Sequence, residues 1–230
     1  MIQIGPFWII TIASYVGVFL IFLTILLIKN RASKKFNILQ YFIEEIISSN
    51  DKLSYPLKIA QYAFVIPSAL PIFLVAFNYS VFGNFLFVES IIAAVLLLLS
   101  LLNIIMSYIP VRNVKPHSVV TTVHLTTTLL MSALTSFNGI YFFYLYQSQS
   151  TGGVYQLILG IVSIIFTILM ILIIFNPKLK TWYLLESEVE EDGTIATKRP
   201  KIFPLAFSEW LSIFIAFISG LIFILELLKM

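Results

Sequence analysis

The sequence contains no cysteine and few charged residues. Without cysteine, the 230-residue chain can form no disulfide, thiolate metal site, iron–sulfur cluster or cysteine nucleophile. Charged residues make up 11% of the chain and hydrophobic residues 60%, whereas a typical soluble domain has about 25% charged and about 45–50% apolar residues. A soluble fold of this length cannot bury so much apolar surface. The composition therefore predicts an integral membrane protein that has lipid as its solvent.

The sequence also lacks the short motifs of the common enzyme classes. It has no phosphate-binding glycine loop, no GxSxG, no HExxH and no internal repeat, and its only aspartates, Asp51 and Asp192, lie in loops. The formal charge of +3 does not indicate a nucleic-acid partner, because the bases are confined to loops and do not alternate with aromatic residues. We therefore predict no cofactor, no metal and no nucleic-acid partner, and we lean against an enzyme.

Six apolar stretches are each long enough to cross a membrane. About 20 helical residues span the hydrocarbon core at a rise of about 1.5 Å per residue. The predicted spans are residues 6–28, 57–78, 85–109, 118–146, 154–175 and 203–228. The first span follows no basic segment and precedes no small-residue cleavage site, which predicts a retained helix. The fold class is therefore all-α, a six-span polytopic bundle that forms one membrane domain over residues 1–230.

The basic residues predict the orientation of the bundle. Thirteen of the fourteen Lys and Arg residues lie in or beside the connections between spans one and two, three and four, and five and six. The opposite connections, residues 79–84 and 147–153, carry no charge. The positive-inside rule therefore predicts that the basic connections are cytoplasmic and that both termini lie outside. We expect the plasma membrane, and the abundance of Ile, Phe, Leu and Asn suggests a bacterial source.

The two long cytoplasmic connections, residues 29–56 and 176–202, have structural signals of their own. In residues 36–50 the polar side chains follow one helical stripe and apolar side chains cover the rest, which predicts an amphipathic helix on the inner membrane surface. It could dock a partner or serve as an interfacial connector.

Residues 181–201 form the second signal, a β-hairpin with its turn at Asp192-Gly193. The hairpin would pair Glu186, Glu188 and Glu190 with Lys198 and Arg199. A two-stranded hairpin is marginal in water, so it would lean on the membrane or on a partner, or stay solvated.

Ionisable residues inside the spans are the candidate functional groups, because they are costly in lipid and usually face the bundle interior. They are Glu89, His124, Glu209 and Glu226, with His117 at an interface. Span four also carries a polar stripe at helical spacing, made up of His117, Thr121, His124, Thr128, Ser132, Thr135 and Gly139. The stripe predicts either a polar pathway or hydroxyls that bond their own helix and permit close packing.

His124 and Glu209 lie at matching depth from the cytoplasmic ends of spans four and six, so we predict that they form a polar centre. They could share a proton or bind a cation or substrate amine, with His117 joining from the surface and Thr121 and Thr128 adding hydrogen bonds. In the alternative, each bonds a group in its own surroundings. Two histidines and one glutamate match no specific metal-ligand spacing.

Glu89 and Glu226 lie at the outer ends of spans three and six. They could line an acidic vestibule or stay hydrated at the headgroups, and for Glu226 beside Lys229 the hydrated position is favoured.

Two further patterns concern packing. Ser208, Ser212, Ala216 and Gly220 form a small-residue stripe on span six that favours close helix contact or a protein partner. In span two, Pro67 and Pro71 predict a kink or a short interruption.

Three functions fit these features. The first is a transport-related protein or the membrane subunit of a transport complex, for which the test is a cavity lined by span four. The second is a scaffold or assembly subunit, for which span six would contact another chain. The third is a membrane enzyme acting on lipid, for which His124 and Glu209 would converge on a cavity.

Overall fold

The computed structural model describes residues 5–32, 39–48, 52–82, 87–110, 113–146, 154–176, 186–189, 195–198 and 202–227. The helices are α1 (Gly5–Ala32), α2 (Ile43–Ser48), α3 (Ser54–Ala63), α4 (Val65–Phe82), α5 (Phe87–Tyr108), α6 (Val114–Tyr146), α7 (Val154–Ile174) and α8 (Pro204–Leu227), and the strands are β1 (Glu186–Val189) and β2 (Ile195–Lys198). Within these ranges, six helical segments are long and apolar enough to cross a membrane. The chain is therefore described as a multi-pass helical membrane protein, and the six spans match the prediction.

Span two is interrupted at Phe64, where α3 ends and α4 begins. The interruption lies three residues before Pro67, which has no N–H to donate to the carbonyl of Ala63. Phe64 keeps right-handed helical angles, with φ −66° and ψ −21°. Because Ser68 still bonds the Phe64 carbonyl at 3.2 Å, span two continues as two stacked helical pieces.

Helix α8 is the central helix of the bundle and contacts α1, α5, α6 and α7. The small-residue stripe of Ser208, Ser212, Ala216 and Gly220 is buried within the chain. At Gly220 an added Cβ would collide with the hydroxyl of Tyr15. The prediction of close packing through this stripe is therefore confirmed. A protein partner at the stripe stays a prediction, although neighbouring helices of the chain already cover these residues.

The predicted surface helix over residues 36–50 is corrected by the structure. Only Ile43–Ser48 is helical among the described residues of that range, and residues 36–38 and 49–50 lie outside them. The apolar residues Phe42, Ile43, Ile46 and Ile47 are buried. Lys29 donates hydrogen bonds to the carbonyl of Ile46 and to Ser54 Oγ. This segment therefore packs into one end of the bundle, because its apolar face is covered by helices and not by lipid headgroups.

Strands β1 and β2 pair antiparallel, with Glu186 opposite Lys198 and Val189 opposite Ile195. The predicted turn at Asp192-Gly193 lies outside the described residues. The position of these strands on the cytoplasmic side stays a prediction.

Candidate functional site

Helices α6 and α8 run parallel and exchange polar contacts in a fixed register. Thr121 Oγ1 donates to Glu209 Oε1 at 2.7 Å, Ser212 Oγ lies 3.0 Å from His124 Nδ1, and Asn138 Nδ2 donates to Glu226 Oε2 at 2.9 Å. In each pair the two residue numbers differ by 88. A constant difference is the mark of parallel helices in register, so these pairs define one continuous contact, called here the α6–α8 seam.

The most polar point of the α6–α8 seam is a buried pair of His117 and Glu209. Nε2 of His117 lies 2.9 Å from Oε1 of Glu209, and the same oxygen accepts the hydrogen bond from Thr121. Nδ1 of His117 lies 3.0 Å from the carbonyl oxygen of Ile109. The His117 and Glu209 side chains are 1% and 0% exposed. The pair is therefore shielded from solvent and lipid on every side that the described residues cover.

The hydrogen-bond partners of this pair determine how many protons it holds and where they can lie. A carbonyl oxygen only accepts hydrogen bonds, so Nδ1 of His117 must carry the hydrogen that faces Ile109. The contact between His117 Nε2 and Glu209 Oε1 then holds one proton, which sits either on the imidazole or on the carboxyl group. Both arrangements carry the same net charge. The pair can therefore move this proton across one short hydrogen bond without adding charge to the apolar interior.

The protons of His124 follow in the same way. With the Ser212 hydroxyl donating its single hydrogen to the backbone oxygen of Glu209 at 2.8 Å, its oxygen accepts from Nδ1 of His124 at 3.0 Å. Nε2 of His124 is then a bare acceptor. Within the described parts of the chain, neither this atom nor Oε2 of Glu209 has a hydrogen-bond partner, and both are fully buried. Buried polar atoms are nearly always paired, so two unpaired atoms at adjacent turns of one seam indicate a place for water or a mobile proton.

The segment 39–48 closes this site at its end of the bundle. The ring of Phe42 stands edge-on to the imidazole of His117, with centroids 5.2 Å apart. Trp210 Nε1 donates to the carbonyl oxygen of Tyr41 at 2.9 Å, which fixes the segment to α8. The aromatic ring of Phe42 therefore packs against the imidazole of His117.

The structure does not pair His124 with Glu209 as predicted, because Glu209 bonds His117 and His124 bonds Ser212. The cause is the start of α6 at Val114, about one turn before the predicted residue 118. His124 lies ten residues into α6, or about 15 Å by helix rise, whereas Glu209 lies five residues into α8, or about 7.5 Å. His117, predicted at the interface, is the histidine at the depth of Glu209.

The hydroxyl stripe of α6 has two roles. Thr121 reaches across to Glu209, whereas Thr128 donates to the carbonyl oxygen of His124 on its own helix at 2.9 Å. Ser132 and Thr135 also bond backbone oxygens of α6. The alternative prediction of bonds within the helix therefore holds for Thr128 and the residues beyond it.

The opposite end of the seam contains Glu226, which is 0% exposed and is bonded by Asn138. The prediction that Glu226 is hydrated at the headgroups is therefore wrong, because α6 and α7 cover it. Glu89 is also buried, at 4% exposed. Asn138 was not predicted as a site residue, although it lies three residues after Thr135 and so extends the polar stripe.

Neither a metal site nor a known relative helps to interpret the His117–Glu209 pair. No three His, Cys, Asp or Glu residues lie close enough together to hold a metal ion in the part of the chain that the structure describes. No known protein family, curated protein or solved structure matches the chain. The site is therefore interpreted from its own chemistry.

Proposed function

We propose that this chain is a transport-related protein of the plasma membrane, acting alone or as the membrane subunit of a transport complex, and that the His117–Glu209 pair is its proton-handling centre. The observation that carries the proposal is the 2.9 Å contact between two buried groups, His117 Nε2 and Glu209 Oε1, which can hold a single proton between them. Ionisable groups inside membrane spans commonly belong to proton or substrate pathways. The proposal places the pair in the cytoplasmic half of the bundle.

The unpartnered atoms of the seam suggest the direction of proton movement. Oε2 of Glu209 is the free oxygen of the carboxyl group, and Nε2 of His124 is the next bare acceptor along α6. Once the proton is on the Glu209 carboxyl group, rotation of that group would exchange the positions of its two oxygens, and the proton would then pass through one water molecule to Nε2 of His124, leaving a Glu209 carboxylate. His124 would then be a cation, and the hydroxyl of Ser212 would still accept from its Nδ1.

The scaffold function is the second candidate, because the polar pairs also hold α6 and α8 in register. A purely structural network, however, gains stability by pairing every buried polar atom. Glu209 Oε2 and His124 Nε2 lack partners among the described groups, as Asn138 Oδ1 and Glu226 Oε1 do at the other end of the seam. The first two support proton handling because they adjoin the contact between His117 and Glu209. The lipid-enzyme function is less favoured, because the cavity bounded by α1, α2, α3, α5 and α8 is lined by neither His124 nor Glu209.

The test is Glu209→Gln in liposomes that contain the purified protein. The glutamine amide has the size of the carboxyl group and can donate to Nε2 of a neutral His117, so we expect the variant to fold. It cannot lose a proton. With a pH-sensitive dye and an imposed membrane potential, we expect the proton flux of the variant to fall to that of protein-free liposomes.

The control is Glu45→Gln, which removes a carboxylate outside the spans, where Glu45 Oε2 accepts from the backbone N–H of Phe42 at 3.1 Å. This variant should keep the wild-type flux. Infrared spectra add a second measurement, because a carboxyl band that changes during proton flux should vanish in Glu209→Gln and persist in Glu226→Gln. Equal flux in the wild type and Glu209→Gln, with no band assigned to Glu209, would favour the scaffold function.

A further inference from the structure

The far end of the α6–α8 seam contains a second buried carboxyl group, that of Glu226. Glu209 and Glu226 lie 17 residues apart on α8, which is about 25 Å by helix rise. The Glu226 side chain is 0% exposed, and Asn138 Nδ2 donates a hydrogen bond to its Oε2 at 2.9 Å. Glu226 Oε1 and Asn138 Oδ1 are also buried, but no described group of the protein bonds to either atom. The two unpaired oxygens therefore belong to two side chains that already touch each other.

Two glycines make the space in which Glu226 Oε1 lies. A Cβ at Gly139 would be 2.8 Å from Glu226 Oε1 and 2.7 Å from the Cα of Gly160. The carboxyl oxygen is therefore held against the point where α6 crosses α7. A metal cation needs a shell of several oxygen ligands, and the described residues contain no group of three acids or histidines that could supply one. A proton needs neither the space nor the extra ligands.

Among the described residues, no basic side chain lies in the half of the bundle that contains Glu226. The titratable groups that interact electrostatically with Glu226 are Glu89 of α5 and Tyr155 of α7. Glu89 repels an ionised Glu226, and a neutral tyrosine supplies no counter-charge. A carboxylate without a counter-charge is so unfavourable in an apolar interior that the group takes up a proton instead.

The helix ends decide which of the two acids carries the proton. Glu89 lies in the first turn of α5, where free backbone N–H groups and the helix dipole stabilise a carboxylate, and its own backbone N–H bonds it. Glu226 lies in the last turn of α8, where the dipole has the opposite sign. Because two neighbouring carboxyl groups in an apolar site do not both ionise, the proton belongs on Glu226.

We propose that Glu226 is a second proton-binding site of the bundle and that Asn138 recognises its neutral carboxyl group. Asn138 Nδ2 donates to Glu226 Oε2, and the proton on Glu226 Oε1 donates to Asn138 Oδ1. The second bond requires only that the planar amide and the planar carboxyl group lie in one plane. One proton then gives partners to both unpaired oxygens. This proton is held at rest, so the proposal does not rest on proton transfer at His117 and Glu209.

Infrared spectroscopy detects the proton, because a protonated carboxyl group and a carboxylate absorb at different frequencies. The purified protein is measured in liposomes at neutral pH without a pH gradient, so the result does not depend on transport. We expect Glu226→Gln to lose the band of one protonated carboxyl group. The glutamine amide can form the same two bonds with Asn138, so this variant should fold. Glu89→Gln and Glu45→Gln are the controls and should keep the band.

Loss of carboxylate absorption in Glu226→Gln, in place of the protonated band, would overturn the proposal and indicate an ionised group beside water or a metal cation. Asn138→Leu is the second variant and stays informative if Glu226→Gln folds poorly. It should keep the protonated band at a higher frequency, because Oε2 no longer accepts the hydrogen bond from Nδ2. An unshifted band would overturn the proposed recognition by Asn138.

Unfolding by denaturing detergent between about pH 5 and 7 tests the same proton by its effect on stability. A glutamate exposed by unfolding ionises near pH 4.3, so a folded state with a protonated Glu226 binds one proton more than the unfolded state. Stability from this site is therefore lost as the pH rises. The unfolding equilibrium constant of the wild type should rise about tenfold per pH unit more steeply than that of Glu226→Gln.

Other titrating groups, His117 among them, are present in both proteins and cancel in the difference between the two slopes. Glu45→Gln is the control and should keep the slope of the wild type. Equal slopes in the wild type and Glu226→Gln would overturn the proposal. Because neither measurement involves flux, a wild-type protein that moves no protons would refute the proposed function and leave this site to be judged by its own results.

Discussion

Replacing Gly220 with alanine tests how the central helix is packed. A Cβ at this position would overlap the hydroxyl oxygen of Tyr15 and lie 2.6 Å from Leu96 Cδ1 and 3.0 Å from Tyr15 Cζ. Tyr15 has little room to move, because it is fully buried and stacks on Phe217, with centroids 5.0 Å apart and ring planes 11° apart. Its ring also lies 4.9 Å from that of Phe64. The new methyl group must therefore displace a tightly held side chain.

Three contributions determine how much Gly220→Ala changes the free energy of unfolding. Overpacking a well-packed core costs about 1–3 kcal/mol. Displacing Tyr15 also weakens its hydrogen bond to the Phe217 carbonyl, at 3.2 Å, which is worth about 0.5–1.5 kcal/mol. Alanine gains about 1 kcal/mol over glycine in a helix. We expect Gly220→Ala to lower the free energy of unfolding by about 1–3 kcal/mol.

A double-mutant cycle tests the cause of that loss. Tyr15→Phe removes the oxygen that the new methyl group would overlap, and alone it should cost about 1 kcal/mol, the worth of the lost hydrogen bond. In the double variant the collision with this oxygen is gone. The double variant should therefore be more stable than the sum of the single effects by about 1 kcal/mol or more.

The assay is unfolding by denaturing detergent, followed by circular dichroism. Gly17→Ala is the matched control, because a Cβ at Gly17 meets no atom within 4 Å, and this variant should be as stable as the wild type or slightly more stable. A wild-type stability for Gly220→Ala would refute the packing of Tyr15 against α8. Strict additivity in the cycle would refute the steric explanation.

Two further variants test the ends of the bundle. Gly139→Ala places a Cβ 2.7 Å from the Cα of Gly160 and 2.8 Å from Glu226 Oε1. Because the backbone of Gly160 cannot rotate away, we expect the free energy of unfolding to fall by about 3 kcal/mol in the same assay. A smaller decrease would show that α6 and α7 can separate. Lys29→Met removes the hydrogen bonds from Lys29 to the end of α2, worth about 1.5–3 kcal/mol. In Lys29→Met, hydrogen exchange of the backbone amides of Ile43–Ser48 should accelerate, whereas exchange in the α6–α8 seam should stay unchanged. Unaltered exchange in α2 would contradict the anchoring role of Lys29.

The six spans could be predicted from the sequence because hydropathy measures a property of each segment alone. The start of α6 could not be predicted, because the segment that contains Lys115, Pro116 and His117 has the composition of a loop. Proline is in fact well suited to the first turn of a helix, where its missing N–H has no role. His117 lies in this turn, and its burial depends on Phe42 and Glu209, which come from distant parts of the chain.

The same limit applies to residues 36–50 and to Lys29. Amphipathic periodicity shows that one face of a helix is apolar, but it does not distinguish a membrane surface from a protein core. Lys29 was counted with the topology-determining bases, yet its amino group is buried against α2 and α3. The roles of residues 36–50 and of Lys29 depend on contacts between segments that are distant in the chain, and such contacts cannot be inferred from a single sequence.

The orientation of the bundle decides which way the proposed proton site opens, and the absence of cysteine makes it directly measurable. The connection of residues 147–153 has no charge, whereas the connection that contains Lys52 is basic. The positive-inside rule therefore predicts that the first lies outside and the second in the cytoplasm. An even number of spans puts both termini on the side of residues 147–153. Single substitutions such as Ser148→Cys and Lys52→Cys need no cysteine-free background.

With a membrane-impermeant maleimide on intact cells, we expect Ser148→Cys to react at once and Lys52→Cys to react only after the cells are opened. The opposite result would place His117 and Glu209 in the outer half of the membrane, and the proposed proton centre would then exchange with the outside. Labelling of both sites in intact cells would contradict the six-span topology, because the two connections would share one side. The labelling pattern therefore tests the spans and the direction of the site together.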